Sequence, residues 1–350
     1  MAGSHAETLY MQRCITLAKK GIRHTFTNPM VGCVIVYQNR IIGEGYHQKY
    51  GEHHAEVNAL NDVIDHDRSL LPHSTMYVSL EPCAHVGKTP ACAHRIASEG
   101  IKNVVIGCID PNPVVAGRGI SYLKTQGINV TVPVLKAECQ KLLTKFKANL
   151  NGIPYIILKW AKSSDHFISK QNTQTWLTNA YTNILTHKWR SEVEGIMIGK
   201  NTALIDNPSL DVRHYSGISP VRILMDTHLS TDQGLKILSD QNPSIVINSI
   251  KGLNDKPLSY IKVDNMGDCR EVMSKIFNAG ISSVLIEGGA SLLKSFISSN
   301  CWHEARVIDT DLKLMDGIAA PLIEGKLDSV FEIQGDKIMI ISNQNSPDTI

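Results

Sequence analysis

The period of the apolar positions changes several times along the chain. Leu9, Ile15, Leu17, Ala18 and Ile22 recur near 3.6 residues, and Lys19 and Lys20 follow at the end, which predicts a helix over residues 7–21. Residues 31–37 are a short β-branched apolar run, Gln38 and Asn39 make a turn, and residues 41–46 return as a hairpin partner. A helix starting near His54, a strand over 75–80, a helix over 90–99 stopped by Gly100 and a strand over 104–109 come next. A helix over 120–125 closed by Gly127, a strand over 130–134 and a helix over 135–149 complete this half. Such alternation predicts a layered α/β domain. The turn-rich segment Asn151-Gly152-Ile153-Pro154 then interrupts the periodicity. Beyond it the pattern resumes with strands over 155–160, 196–198, 221–225, 245–248 and 284–286, and helices over 179–194 and 270–278.

At 350 residues the chain is long enough for two domains, and the joint places them at 1–150 and 151–350. Hydrophobic residues make up 43% and charged residues 19%, enough apolar material for packed cores. No apolar run reaches membrane-spanning length, and the first residues lack a basic segment followed by an apolar one, so a cytoplasmic protein is expected. Eight cysteines are too few for a disulfide scaffold, which leaves metal ligation or burial. Residues 1–150 hold 16 Lys and Arg against 11 Asp and Glu, and the remainder 19 against 22, giving +5 and −3. That excess suits a phosphorylated small molecule better than nucleic acid.

Chemistry in the first half concentrates at His54-Ala55-Glu56, Pro82-Cys83 and Cys92. Hydrolytic zinc needs three protein ligands and an open position for water, and one imidazole with two thiolates supplies them. Glu56 is then the proton shuttle. Two residues apart on a helix surface do not face each other, so His54 and Glu56 converge only if the helix begins at His54 and its end points at the metal. Cys92 falls in the first turn of its helix, where the dipole lowers a thiol pKa. His-x-Glu with Pro-Cys-x-x-Cys is the signature of nucleobase deaminases. Here eight residues separate the two cysteines, wider than that pattern. A closed structural zinc with His53, His85 or His94 as fourth ligand stays open as an alternative. Cys14, Cys33, Cys108 and Cys139 read as buried small hydrophobes. Gly117-Arg118-Gly119 reads as a turn or as a phosphate cradle.

His54-Ala55-Glu56, EPCAHVGKTPAC (81–92), DPNPVVAGRG (110–119) and NPMVG (28–32) resemble the deaminase half of the bifunctional riboflavin-biosynthesis deaminase/reductase family. The resemblance implies an N-terminal cytidine-deaminase-like three-layer α/β/α domain. It further implies zinc on His54, Cys83 and Cys92, Glu56 as proton carrier, and a pyrimidine and phosphate site of Asn28, His47, His85, Lys88, Thr89, Asp110 and Asn112. Members deaminate 2,5-diamino-6-ribosylamino-4(3H)-pyrimidinone 5′-phosphate and then reduce its ribosyl group to ribityl with NADPH. A homo-oligomer is also implied.

The second half lacks a Gly-x-Gly-x-x-Gly after a strand, so a Rossmann unit is not indicated. Residues 284–291 (VLIEGGAS) read as strand, glycine turn and helix start, with free N–H groups suited to a pyrophosphate or with no role beyond a tight connection. ILKWAKSSD (157–165), HKWR (187–190), GKNTALIDNPSLDVR (199–213), PVRILMD (220–226) and LIEGGASLLKSF (285–296) resemble the reductase half of the same family, in the same order. A dihydrofolate-reductase-like α/β fold is implied. So are NADPH contacts from Ala161, Trp176, Thr202, Asp206, Thr227, Gly289, Ala290, Ser291, Leu292, Leu293, Lys294 and Ser295, and substrate contacts from Arg190, Leu210, Arg213 and Glu287. Arg190 and Arg213 suit a phosphate because a guanidinium binds it bidentately, although HKWR and DVR also read as a solvated face or a structural ion pair. His166 stands where the family carries glycine, and Gln174 where it carries serine. A degenerate, non-catalytic second half is therefore the alternative to a working reductase.

Overall fold

The structure, a computed structural model, describes residues 5–84 and 91–346. The chain divides after Leu150 into two compact units. The first contains α1 (His5–Ala18), β1 (Gly32–Tyr37), β2 (Arg40–Tyr46), α2 (Ala55–Asp62), β3 (Thr75–Leu80), α3 (Cys92–Ser98), β4 (Asn103–Cys108), α4 (Arg118–Thr125), β5 (Asn129–Thr131), α5 (Lys136–Lys141) and α6 (Thr144–Leu150). Its sheet runs β2-β1-β3-β4-β5, with β1 antiparallel to both neighbours and β3, β4 and β5 parallel.

Burial on both faces explains the unbroken apolar run of β1. On one face α1 buries Tyr10, Met11, Cys14, Leu17 and Ala18. Gly32 lets it approach, since a Cβ there would lie 2.0 Å from the Cys14 carbonyl oxygen. α5 joins this layer through Cys139, beside Gly107. On the other face α2 lies on Gly43 and Gly45, each with room for no Cβ beside the Ala59 backbone. α3 and α4 extend that layer, giving three layers. Cys14, Cys33, Cys108 and Cys139 are buried in the core.

Two boundaries differ from expectation. β5 stops at Thr131 because Pro133 has no N–H for the ladder. The helix expected over 135–149 is two helices, α5 and α6, and Leu135 precedes α5 in the left-handed region with φ +50.

The second unit contains β6 (Tyr155–Lys162), β7 (Phe167–Ser169), α7 (Ala180–Ser191), β8 (Gly195–Gly199), α8 (Lys200–Asp206), β9 (Val221–Met225), α9 (Lys236–Ser239), β10 (Ser244–Asn248), β11 (Leu258–Lys262), α10 (Cys269–Asn278), β12 (Ser283–Ile286), α11 (Ala290–Ser298), β13 (Glu304–Asp309), β14 (Ile318–Ala319), β15 (Lys326–Ile333) and β16 (Asp336–Ser342). The main sheet has the order β11-β10-β9-β8-β12-β6-β13-β16-β15. It is parallel from β11 to β13, and the β15–β16 hairpin adds antiparallel strands at one edge. Asn179 and Asp268 cap α7 and α10, each accepting from two backbone N–H groups. Among the described residues no helix is long and apolar enough to cross a membrane.

Candidate active sites

In the first unit, His54 is the N-cap of α2 and Glu56 sits in its first turn, so the helix end brings the two side chains toward one point. Cys83 follows β3, and Cys92 opens α3. His54 Nδ1 lies 3.6 Å from Cys83 Sγ and 3.4 Å from Cys92 Sγ. For tetrahedral zinc, bonds of about 2.0–2.1 Å to nitrogen and about 2.3 Å to sulfur imply an N···S edge of about 3.5 Å. The three residues therefore fit zinc in both donor chemistry and spacing. Among the described residues no fourth His, Cys, Asp or Glu joins this group. His94 stacks on Tyr122 with centroids 4.1 Å apart. His53 gives its carbonyl to His47. Of the fourth ligands considered for a closed site, His85 lies outside the described residues.

The Cys92 backbone N–H at the start of α3 donates to Cys83 Sγ at 3.3 Å, so the helix start reaches Cys83 as well as carrying Cys92. Hydrogen bonding to Cys92, with help from His54, holds the Cys83 thiol down to about 4. Cys92 is pushed up by that shared proton and by burial. Glu56 is 3% exposed, and burial pushes its carboxyl up to about 7.

His47 is 3% exposed and packs edge-on to His54, with centroids 5.4 Å apart. The His53 carbonyl accepts from Nδ1 at 3.0 Å, so Nε2 keeps its lone pair and takes the Asn28 amide at 3.1 Å. Burial lowers the His47 pKa and favours this neutral form. Asn28 and His47 thus stand beside the metal ligands. Asp110 and Asn112 occupy the loop after β4, where Asp110 Oδ1 accepts from the Asn112 N–H at 2.8 Å and Asn112 Oδ1 from the Val114 N–H at 3.0 Å. His85, Lys88 and Thr89 lie outside the described residues. Gly117-Arg118-Gly119 is no open anion cradle, because the Gly117 and Gly119 N–H groups donate to Glu81, each at 2.9 Å. Sequence reasoning gave Glu81 no role. Its signal was an acidic residue directly after a strand that is buried over its last five residues.

In the second unit the candidates gather at the carboxyl ends of adjacent parallel strands, where open α/β sheets bind ligands. Ala161 is near the end of β6, Thr227 follows β9, and Gly289 joins β12 to α11. Gly289 has φ +65, and a Cβ on it would lie 3.2 Å from Thr202 Oγ1, which places Thr202 of α8 beside the glycine turn. Buried Asp226 holds the turn carrying Thr227 by accepting from the Thr231 N–H and hydroxyl at 2.9 and 2.8 Å. Ala290, Ser291 and Leu292 form the first turn of α11. The run 289–295 does not act as one contact surface, since each helical residue turns by about 100°. Leu293 is 1% exposed and belongs to the core, whereas Lys294 and Ser295 are exposed. Asp206 ends α8, with its carboxyl raised by burial, and Trp176 is 67% exposed in the loop before α7.

Among the substrate candidates, Arg190 and Glu287 form a bidentate ion pair, Nε to Oε1 at 2.9 Å and Nη2 to Oε2 at 2.8 Å, with side chains 13% and 7% exposed. Arg190 Nη1 donates to the Asp211 carbonyl at 3.2 Å. Its fork is thus committed to Glu287 rather than open for a bidentate grip on phosphate. Burial opposes the Glu287 charge, but Arg190 and Lys159 outweigh it and bring the carboxyl down to about 2. Lys159 was not singled out from the sequence, although a lysine within the apolar strand β6 was the available signal. The Arg213 N–H donates to His187 Nδ1 at 3.2 Å, and His187 is kept neutral, its pKa lowered to about 4 by burial and by Arg190 and Arg213. Arg213 itself pairs with Asp211. Leu210 has φ +56 and is 2% exposed in a core cluster, so only its backbone can face a ligand.

Residues 4–108 match the cytidine and deoxycytidylate deaminase zinc-binding region, and residues 154–309 match the RibD C-terminal domain. The riboflavin biosynthesis protein RibD of Bacillus amyloliquefaciens is 36% identical over 91% of this chain and 88% of its own. That of Aquifex aeolicus is 34% identical over 82% of each chain. A solved diaminohydroxyphosphoribosylaminopyrimidine deaminase/5-amino-6-(5-phosphoribosylamino)uracil reductase from Thermotoga maritima superposes with TM-score 0.88 at 28% identity, covering 97% of this chain and 99% of its own. With the zinc-type ligand set in the first unit and the buried Arg190–Glu287 ion pair in the second, the chain belongs to the RibD family of riboflavin-biosynthesis proteins.

Proposed function

We propose that residues 1–150 remove the 2-amino group of 2,5-diamino-6-ribosylamino-4(3H)-pyrimidinone 5′-phosphate as ammonia, and that residues 151–350 reduce the ribosyl group of the product to ribityl. The observation that carries the reading is the convergence of His54, Cys83 and Cys92 with buried Glu56 at a helix end. Zinc, when bound there, lowers the pKa of a water so that hydroxide is available near neutral pH. Glu56 takes the proton from the attacking water and returns it to the departing amine. His47 and Asn28 hold the pyrimidine edge with a fixed tautomer. Asp110 and Asn112 complete the wall, and the family resemblance adds His85, Lys88 and Thr89 to the same pyrimidine and phosphate site.

NADPH, when bound, supplies a hydride to C1 of the opened ribose. Thr202, Thr227 and the free N–H groups at the start of α11 hold its phosphates and ribose. Ala161, Trp176, Asp206 and the remainder of the 289–295 run line the cofactor to the extent their exposure permits. Glu287, fixed by Arg190, accepts from the substrate hydroxyls, and Arg213 takes the 5′-phosphate. Both domains of the family are present, which favours a working reductase over a degenerate second half despite His166 and Gln174. The chain works as a homo-oligomer, a reading that rests on the family resemblance and is checked by light scattering on the purified protein.

The test is a two-channel assay with the diaminopyrimidinone ribotide, following ammonia and NADPH together. Ammonia release without NADPH, then cofactor oxidation on its addition, supports both activities and their order. Ammonia release with no oxidation contradicts the reductase.

A further inference from the structure

Glu81 is the last residue before Pro82-Cys83 and is 4% exposed. Its backbone N–H donates to the Cys108 carbonyl at 3.0 Å, which ties the end of β3 to the end of β4. Its carboxylate accepts four backbone N–H groups: Oε2 from Asp110 at 3.3 Å and Gly117 at 2.9 Å, Oε1 from Gly119 at 2.9 Å and Ile120 at 3.2 Å. These donors span the whole loop after β4 and the first turn of α4. The two segments also touch through backbone, since a Cβ on Gly119 would lie 1.9 Å from the Pro82 carbonyl oxygen. A charge removed from water is tolerated when several donors are aimed at it, and here every donor belongs to the loop after β4 or to the first turn of the helix that follows it. The loop carries Asp110 and Asn112, whose side chains spend one oxygen each on the next turn of the same loop.

We infer that Glu81 is a positioning residue for deamination, setting the distance between the substrate-binding loop 110–117 and the metal ligand two residues away. This rests on the assignment of Asp110 and Asn112 to the substrate. The loop grips the substrate equally in the ground state and the transition state, so its displacement raises KM and leaves kcat nearly unchanged. A merely structural role behaves differently. It lowers the zinc-loaded, folded fraction, hence the apparent kcat, at constant KM.

Glu81→Gln keeps the shape and turns one acceptor oxygen into an amide NH2 donor facing two backbone N–H groups. Glu81→Asp, shorter by one methylene, keeps the charge and is the milder second variant. Asn112→Ala tests the underlying assignment. Each is assayed for ammonia release, zinc per chain and amide exchange at residues 110–120. Glu81→Gln is expected to raise KM by about 10-fold or more with kcat within about 3-fold of the parent. Zinc stays at one per chain, and the Gly117, Gly119 and Ile120 amides exchange faster. Glu81→Asp moves KM in the same direction. A raised KM for Asn112→Ala with an unchanged KM for both Glu81 variants overturns the role of Glu81 alone. Unchanged KM in all three overturns the assignment of the loop and the inference with it. Loss of zinc at constant KM marks a structural role and overturns the inference.

Discussion

Glu287→Gln tests whether the ion pair with Arg190 is a preorganised part of the second unit or an incidental contact. The carboxyl is held at about 2 against an ordinary value of 4.5. At about 1.4 kcal/mol per unit, that gap corresponds to about 3 kcal/mol of stability at pH 7. The same magnitude follows from removing one partner of a buried pair, about 3–5 kcal/mol, because Arg190 is left without a counter-charge. A carboxyl whose folded pKa is depressed stabilises the fold above its unfolded pKa and loses that contribution as pH falls through the folded value. The difference between parent and variant is therefore full at neutral pH, begins to shrink below about pH 4.5 and falls below half by about pH 3. All four tryptophans, Trp160, Trp176, Trp189 and Trp302, lie in the second unit. Urea titration followed by tryptophan fluorescence thus reads this unit without the first. Adding Arg190→Met to Glu287→Gln removes both charges and should cost less than the two single losses combined. A loss under about 1 kcal/mol at pH 7, or one undiminished at pH 3, would refute the reasoning.

Further outcomes follow from other parts of the molecule. Cys83→Ser replaces a thiolate with a hard oxygen, so zinc by elemental analysis should fall well below one per chain and ammonia release should cease. Reduction of the deaminated intermediate should continue in that variant, and its loss would argue against independent sites. His166 holds φ +67 in the turn after β6, where an L-residue with a side chain is strained. His166→Gly should stabilise the second unit by up to about 1 kcal/mol in the same urea experiment, and destabilisation would show that its contact with Lys162 matters more than backbone strain.

Much of the first site was legible because its chemistry is local. His54, Glu56, Pro82-Cys83 and Cys92 each sit at an element boundary that apolar periodicity locates, and the requirement that α2 begin at His54 is met by its N-cap position. Periodicity does not report how partners are spent. Arg190 and Glu287 are 97 residues apart, and nothing in either motif indicates that each satisfies the other. Leu210 and Leu293 lie within matched motifs, but a left-handed backbone in one case and the helical turn in the other send their side chains into the core. The β15–β16 hairpin escaped notice because β15 is an exposed edge strand, so no buried face imposes alternation on Lys326–Ile333. The short helix α8 was missed for a related reason, since it buries only Ala203.

The most direct test of two separable activities in one chain is to give Glu56→Ala and Arg213→Ala each both substrates, the diaminopyrimidinone ribotide and its deaminated product. Glu56→Ala should keep its zinc, release no ammonia and still oxidise NADPH with the deaminated product. Arg213→Ala should release ammonia at the parent rate and reduce poorly. Loss of both reactions in either variant would contradict the account.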